Sequence, residues 1–228
     1  MSTDAAPARK RGRPRATAAE IQARRDKLVH AAYEVFLDKG YHATSISDIT
    51  SRAGLGFGTY YKGFDNKREI LDPVIDYGVE QILGDILGGD LSPAPAPTSV
   101  DDFENQLRGI GHRIREAFAA RPRLAKFLVM EANTIDEAAS ERWYGLVDLG
   151  ATLVAAYLEQ GITAGVLREE FDTSETGQAV MGTILMGVVR AARHDSSAGI
   201  PAAYIDAVIA LVRAGVSRDE CTPNGSTT

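Results

Sequence analysis

GYHATSISDITSRAGLGFGTYYKGFDNK, residues 40–67, is the stretch on which the fold turns. Gly40 follows Asp38-Lys39 and supplies a left-handed stop for a first helix, in which Ile21, Leu28, Ala32, Val35 and Phe36 recur at helical spacing. Ser45 stands three residues before Asp48. At that spacing a hydroxyl caps a helix and an acid in the first turn meets its dipole. Ile46, Ile49 and Ala53 give this second helix an inward face that runs to Gly54. Gly54-Leu55-Gly56 is a tight turn with Leu55 placed to plug the core, and residues 57–64 suit a third short helix. Two short helices joined by such a turn behind a longer one make a helix-turn-helix, whose last helix enters the major groove of DNA.

Charge distribution agrees with that reading once the chain is divided. The 228 residues carry a net charge of -6, which taken whole argues against a polyanionic partner. Residues 1–68, however, hold 13 Lys and Arg against 7 Asp and Glu, while residues 69–228 hold 12 against 24. The first part is +6 and the second -12, the asymmetry of a chain with one anion-facing end.

Outward from the central stretch, residues 1–18 lack hydrophobic periodicity and are expected to be a solvated arm. Asn66 and Glu69 cap a long helix through Ile70, Leu71, Val74, Ile75, Val79, Ile82 and Leu83, with Pro73 inside it as an expected kink and hinge. Residues 88–98, with Pro93, Pro95 and Pro97, read as a loop. Helical patterns follow from Thr98 or Ser99 to Pro122, over 124–133, over about 138–163, from Asp172 or Thr173 to about Arg193, and from Pro201 onward. The expected architecture is all-α with about nine helices: an arm (1–18), a helix-turn-helix domain (19–68), a helical ligand-binding and dimerisation domain (69–218) and a flexible tail (219–228).

The motifs GYHATSISDI, AGL and GTYYKGFDNK within residues 40–67 resemble the tetracycline-repressor (TetR) family of bacterial transcriptional regulators, strongly over residues 21–75 and elsewhere only in length and helical character. The resemblance implies that Thr44, with Ser45 beside it, meets a phosphate at the entry of the second helix, and that Phe57, Gly58 and Thr59 face base edges. It also implies that Tyr61, Lys62 and Lys67 hold phosphates while Leu55, Tyr60 and Phe64 pack the reading helix. Gly56 stands where the family often has a hydroxyl, and Gly63 where it often has an aromatic or histidine, so one cap and one DNA contact are absent. Lys10-Arg11-Gly12-Arg13-Pro14-Arg15 resembles an AT-hook, in which Lys10, Arg11, Arg13 and Arg15 would track a narrow minor groove.

The chemistry of other classes is missing. The glycines at 54, 56 and 58 are not spaced as G-x-G-x-x-G and no GK[ST] follows them. His30, His42, His112 and His194 form no metal-binding pair, Cys221 is the one cysteine, and no catalytic set can be nominated. Neither metal, cofactor nor enzymatic activity is expected. No run approaches the roughly 18 apolar residues of a membrane span, so a cytoplasmic protein is expected.

In the second half, Gly177, Gly182, Gly187 and Ala191 share a face, and small residues continue in the last helix. Such surfaces suit close helix approach, either inside one protomer or between two. The resemblance implies a homodimer, with Val180, Ile184, Val188, Ala191, Ile205, Val208, Ile209 and Val212 at the interface. Candidate effector contacts in the middle helices are Phe103, His112, Phe127, Met130, Glu131, Asn133, Trp143 and Tyr144, which combine bulk with polarity. The expected function is a repressor released from a palindromic double-stranded operator by a small molecule. An architectural binder of A·T-rich DNA and a helical small-molecule-binding protein are the alternatives.

Overall fold

The computed structural model describes residues 17–88, 95–193 and 199–217, and among them nine α-helices carry the fold. The first, α1 (Ala18–Lys39), is opened by Thr17, whose hydroxyl accepts from the Glu20 amide while the Glu20 carboxylate accepts from the Thr17 amide. It closes at Gly40, whose φ of 80° favours glycine. Next come α2 (Ile46–Ala53) and α3 (Phe57–Tyr60), then α4 (Leu71–Leu87), α5 (Val100–Ala120) capped by Ser99, and α6 (Pro122–Lys126). Asp136 caps α7 (Glu137–Thr163), Asp172 caps α8 (Thr173–Arg193), and Pro201 precedes α9 (Ala202–Val216). The all-α architecture read from the sequence is present. One isolated antiparallel bridge, Leu167 to Ser217, ties the α7–α8 connection to the end of α9.

Three local expectations are corrected. The third helix is four residues long and gives way to a turn at Tyr61, because its entry residue Gly56 offers no side-chain cap and glycines stand at 58 and 63. Pro73 lies not inside α4 but at its opening, as the third residue, where the lost N–H has no intrahelical acceptor. The helix expected over 124–133 is not regular: α6 leads into a π-turn (Phe127–Glu131) and a 3₁₀ turn (Ala132–Thr134). Phe127, Leu128 and Val129 are consecutive and all buried. At 100° per residue an α-helix would turn one of them outward, and the wider π-turn keeps all three inside.

Two apolar cores result. The larger joins Leu28, Ala32 and Phe36 of α1, Ile49 of α2, Tyr60 of α3, Leu71 and Ile75 of α4, Leu124, Phe127, Trp143 and Val188, so it continues from the first three helices into the rest. The smaller gathers Phe103, Leu158, Val166, Leu167 and Val216. The segment at residues 127–136 fastens the two parts of the chain. Phe127 stacks on Phe36 with ring centroids 6.0 Å apart, and the Glu131 carboxylate accepts from the Tyr41 amide at 3.3 Å. Arg68 donates to both oxygens of Asp136, which also caps α7 through the Ala139 amide.

Candidate nucleic-acid interface

Local hydrogen bonding sets the angle between α2 and α3. Ser45 and Asp48 form a reciprocal cap: the Ser45 hydroxyl accepts from the Asp48 amide, and the Asp48 carboxylate accepts from the Ser45 amide at 2.9 Å. Lys39 reaches the same carboxylate at 2.6 Å, and with Ser45 it holds the Asp48 carboxyl far below the ordinary carboxylate range. Gly54, at φ 61°, turns the chain left-handed, and the Leu55 amide donates to the Thr50 carbonyl. Leu55 is half-buried against the larger core. Tyr60 is fully buried and its hydroxyl donates to the Asn66 carbonyl, with burial raising its pKa. Phe64 is buried beside it.

These anchors leave one side of α3 bare. Phe57 is 51% exposed and Tyr61 53% exposed, one helical turn apart, with Gly58 and Lys62 exposed next to them and Thr59 half-buried. Ser45 is exposed at the entry of α2. Six of the candidate DNA contacts, Ser45, Phe57, Gly58, Tyr61, Lys62 and the partly covered Thr59, therefore lie at or near this surface.

Two do not. Thr44 is 3% exposed and its hydroxyl donates to the Gly40 carbonyl at 2.8 Å, so that donor serves the turn after α1 rather than a phosphate. The Lys67 ammonium donates to the carbonyls of Tyr41 and Thr44, both at 2.8 Å, lies 3.4 Å from that of His42, and sits 4.3 Å from the centre of the Tyr41 ring. Its positive charge is spent fastening the α1–α2 connection, and burial lowers its pKa. Lys10, Arg11, Arg13 and Arg15 lie outside the described residues, as do His194 and Cys221.

Sequence reading missed the clasps that hold this surface. Arg25 donates to the Gly63 carbonyl at 2.6 Å with its guanidinium 4.1 Å over the Phe64 ring, and Arg52 bridges Glu34 and Asp38. Arg123 pairs with Asp38 across 85 positions of sequence. Basic residues at such separations carry no local signal that distinguishes a clasp from a solvated charge.

The effector candidates do not converge. Phe103 is buried in the smaller core, stacked on Tyr157 at 5.7 Å, whereas Phe127 and Trp143 are buried in the larger core. Burial pushes the Tyr157 hydroxyl up to about 12. His112 is exposed, 3.1 Å from Glu116, and Tyr144 is exposed. Glu131 is committed to Tyr41, Met130 is half-buried on the larger core, and Asn133 Oδ1 is buried without a hydrogen-bond partner. The candidates mixed two cores and an outer surface because bulk and polarity along the sequence do not tell which end of a helix meets which core. A groove of about 470 Å³ between α5 and α9 is lined instead by Glu104, Arg108, Asp206, Ala210, Arg213, Ala214 and Ser217.

The dimer candidates are also divided. Val188 and Ile209 are buried within the protomer, and Ile184, Ala191, Ile205 and Val212 pack partly against its cores. Ile205 lies so close to Gly111 that a Cβ there would approach it to 2.5 Å. Gly177 and Gly187 are buried too, against the Ala151 carbonyl and the Tyr204 ring. These contacts are intramolecular, which corrects Val188 and Ile209 as interface residues. Val180 and Val208 are half-buried, and the large apolar side chains exposed on α8 and α9 are Met186 and Leu211, 59% and 71% exposed.

Residues 28–74 match the profile of the bacterial regulatory proteins of the tetR family. The chain carries a TetR-family N-terminal domain. Among relatives, the HTH-type transcriptional activator FasR of Mycolicibacterium smegmatis is 36% identical over 63 residues, 28% of this chain and 29% of that one. The HTH-type transcriptional repressor KstR2 of the same organism is 30% identical over 100 residues, 42% and 48% of the two chains. The chain thus matches less than half the length of either relative. A TetR-family regulator from Mesorhizobium loti has the same fold along most of its length, with a TM-score of 0.68 at 18% identity over 87% of this chain and 98% of that one. The profile match lies in the N-terminal part of the chain, and the likeness to the Mesorhizobium loti structure over most of the chain is one of fold. Among the described residues no group of three His, Cys, Asp or Glu is placed to hold a metal, and no helix is long and apolar enough to cross a membrane.

Proposed function

We propose that the protein is a dimeric DNA-binding regulator of transcription, a repressor whose grip on a palindromic operator is loosened by a small molecule. The observation that carries this reading is the bare surface of α3 and the turn after it, where Phe57, Tyr61 and Lys62 are exposed on a segment held in place by Tyr60, Phe64 and Arg25. Residues 19–68 act as the reading head, residues 69–218 as the ligand-binding and dimerising body, and the arm, through Lys10, Arg11, Arg13 and Arg15, as a minor-groove tether. Two heads reach successive major grooves when held about 34 Å apart, and the exposed faces of α8 and α9, with Met186 and Leu211, are the surfaces that pair the bodies. Ser45, Tyr61 and Lys62 bind the phosphates, and Phe57, Gly58 and the partly covered Thr59 approach the bases.

Release passes through the segment at residues 127–136, since Phe127, Glu131 and Asp136 each touch the head while their own backbone belongs to the body. An effector that prefers a body conformation with this segment displaced draws the heads out of register. A hundredfold loss of operator affinity requires about 2.7 kcal/mol of differential binding.

An electrophoretic titration on the DNA flanking the protein's own gene, at several salt concentrations, tests the reading. A saturable, sequence-dependent complex whose affinity falls linearly on logarithmic axes with salt is expected. Its absence at moderate salt sinks the proposal. Removing residues 1–18 should weaken binding and flatten the salt slope, and unchanged affinity would refute the tether.

A further inference from the structure

We infer that the head reads thymine methyl groups, with Phe57 as the specificity-determining residue and one T·A pair in each half-site opposite it; this rests on the DNA-binding reading above. In the major groove the C5-methyl of thymine is the one apolar group on a base edge, while guanine, adenine and cytosine are read by hydrogen bonds. Side chains that hydrogen-bond base edges are Arg, Lys, Asn and Gln, Asp and Glu for cytosine, and Ser or Thr. Residues 55–63 contain two of these, Thr59, which is half-buried, and Lys62, which lies in the turn after α3.

Two arginines of the head are committed elsewhere, Arg25 to the Gly63 carbonyl and Phe64 ring and Arg52 to Glu34 and Asp38. Lys67 is held by backbone carbonyls. Lys62 and the Tyr61 hydroxyl remain for phosphates, which carry no sequence information. The one exposed large side chain there without a polar end is the Phe57 ring, which stands beside the equally exposed Tyr61 while Phe36, Tyr41, Tyr60 and Phe64 are buried.

The flanking glycines sharpen this. A Cβ at Gly56 or Gly58 would meet nothing within 4 Å, and neither residue has a positive φ, so packing and backbone geometry place no demand for glycine at either position. Their effect is to strip side chains from both sides of Phe57, letting the groove floor come close to the α3 backbone and the ring come down on a methyl.

The test uses the full chain and a duplex selected from a random-sequence library by its binding. Each thymine of that duplex is replaced in turn by deoxyuridine, which removes only the methyl, and affinity is measured by fluorescence anisotropy at fixed salt. At one position per half-site the replacement should weaken binding about fourfold, the effect of withdrawing one methyl-sized group from apolar contact. Phe57→Ala should bind the thymine and uracil duplexes equally with an unchanged salt slope, and Phe57→Leu should restore the difference. Because Phe57 is exposed, both variants should melt at the wild-type temperature. A flat deoxyuridine scan, or a methyl effect that persists in Phe57→Ala, overturns the inference while leaving DNA binding intact. If selection yields no saturable duplex, the DNA-binding reading itself fails and takes this inference with it.

Discussion

The first three helices and the last three are stabilised by different means. In α1–α3 polar side chains close each junction: Thr17 with Glu20, Ser45 with Asp48, Lys67 over the Tyr41 and Thr44 carbonyls, Arg25 over Phe64. In α7–α9 the helices are long, and glycines bring them together, Gly177 against the Ala151 backbone, Gly150 against Met181, Gly187 against Tyr204. The head is fastened by directional bonds, whereas the body is built on close backbone approach with Met186 and Leu211 left outside.

The comparison can be broken hardest at Gly177. A Cβ there would lie 2.5 Å from the Ala151 carbonyl oxygen, a backbone atom that cannot rotate away. Gly177→Ala should therefore cost at least the roughly 1–3 kcal/mol of core overpacking, seen as a lower midpoint in denaturant, despite alanine's better helix propensity. A neutral or stabilising result would mean that α7 and α8 are not in backbone contact.

Next in size is the cap of α2. Ser45→Ala should destabilise the head by about 1 kcal/mol. Asp48 adds a pH signature: its carboxyl is held low in the folded chain by Lys39 and Ser45, so the stability it confers is present above its unfolded pKa of about 3.9 and is lost as pH falls toward the folded value. Asp48→Asn should flatten that acid limb, read by circular dichroism from pH 5 downward. An unaltered limb would show that the carboxylate is not clasped in solution.

The smallest effect on folding is expected at the exposed apolar faces. Leu211→Glu should change protomer stability by about 0.5 kcal/mol or less, yet dissociate the dimer in analytical ultracentrifugation and weaken operator binding. A variant that remains dimeric removes α9 from the interface.

Legibility in the sequence followed the same divide. The caps at Ser45 and Ser99, the stops at Gly40 and Gly54, and the burial of Tyr60 and Phe64 were readable because each depends on residues within four positions or on a short motif. The internal bonds of Thr44 and Lys67 were not legible, for a related reason. A hydroxyl and an ammonium beside a DNA-facing turn look available until the carbonyls of Gly40, Tyr41 and Thr44 are seen to converge on them. The effector candidates failed to converge because helical periodicity tells which residues face inward but not which core they enter.

Apolar periodicity, caps and glycine stops along the chain read as all-α, and residues 40–67, by their spacing together with their resemblance to a known family, read as a helix-turn-helix, because such signals act over one or two turns. Tertiary structure alone decided that Gly177 and Gly187 serve the inside of a protomer, that residues 127–136 leave the α-helix as a π-turn and fasten Phe36, Tyr41 and Arg68, and that Phe57 stands clear while Arg25 and Arg52 do not. Those outcomes depend on which distant backbone or side chain occupies the space opposite, and distance along the chain holds no record of that.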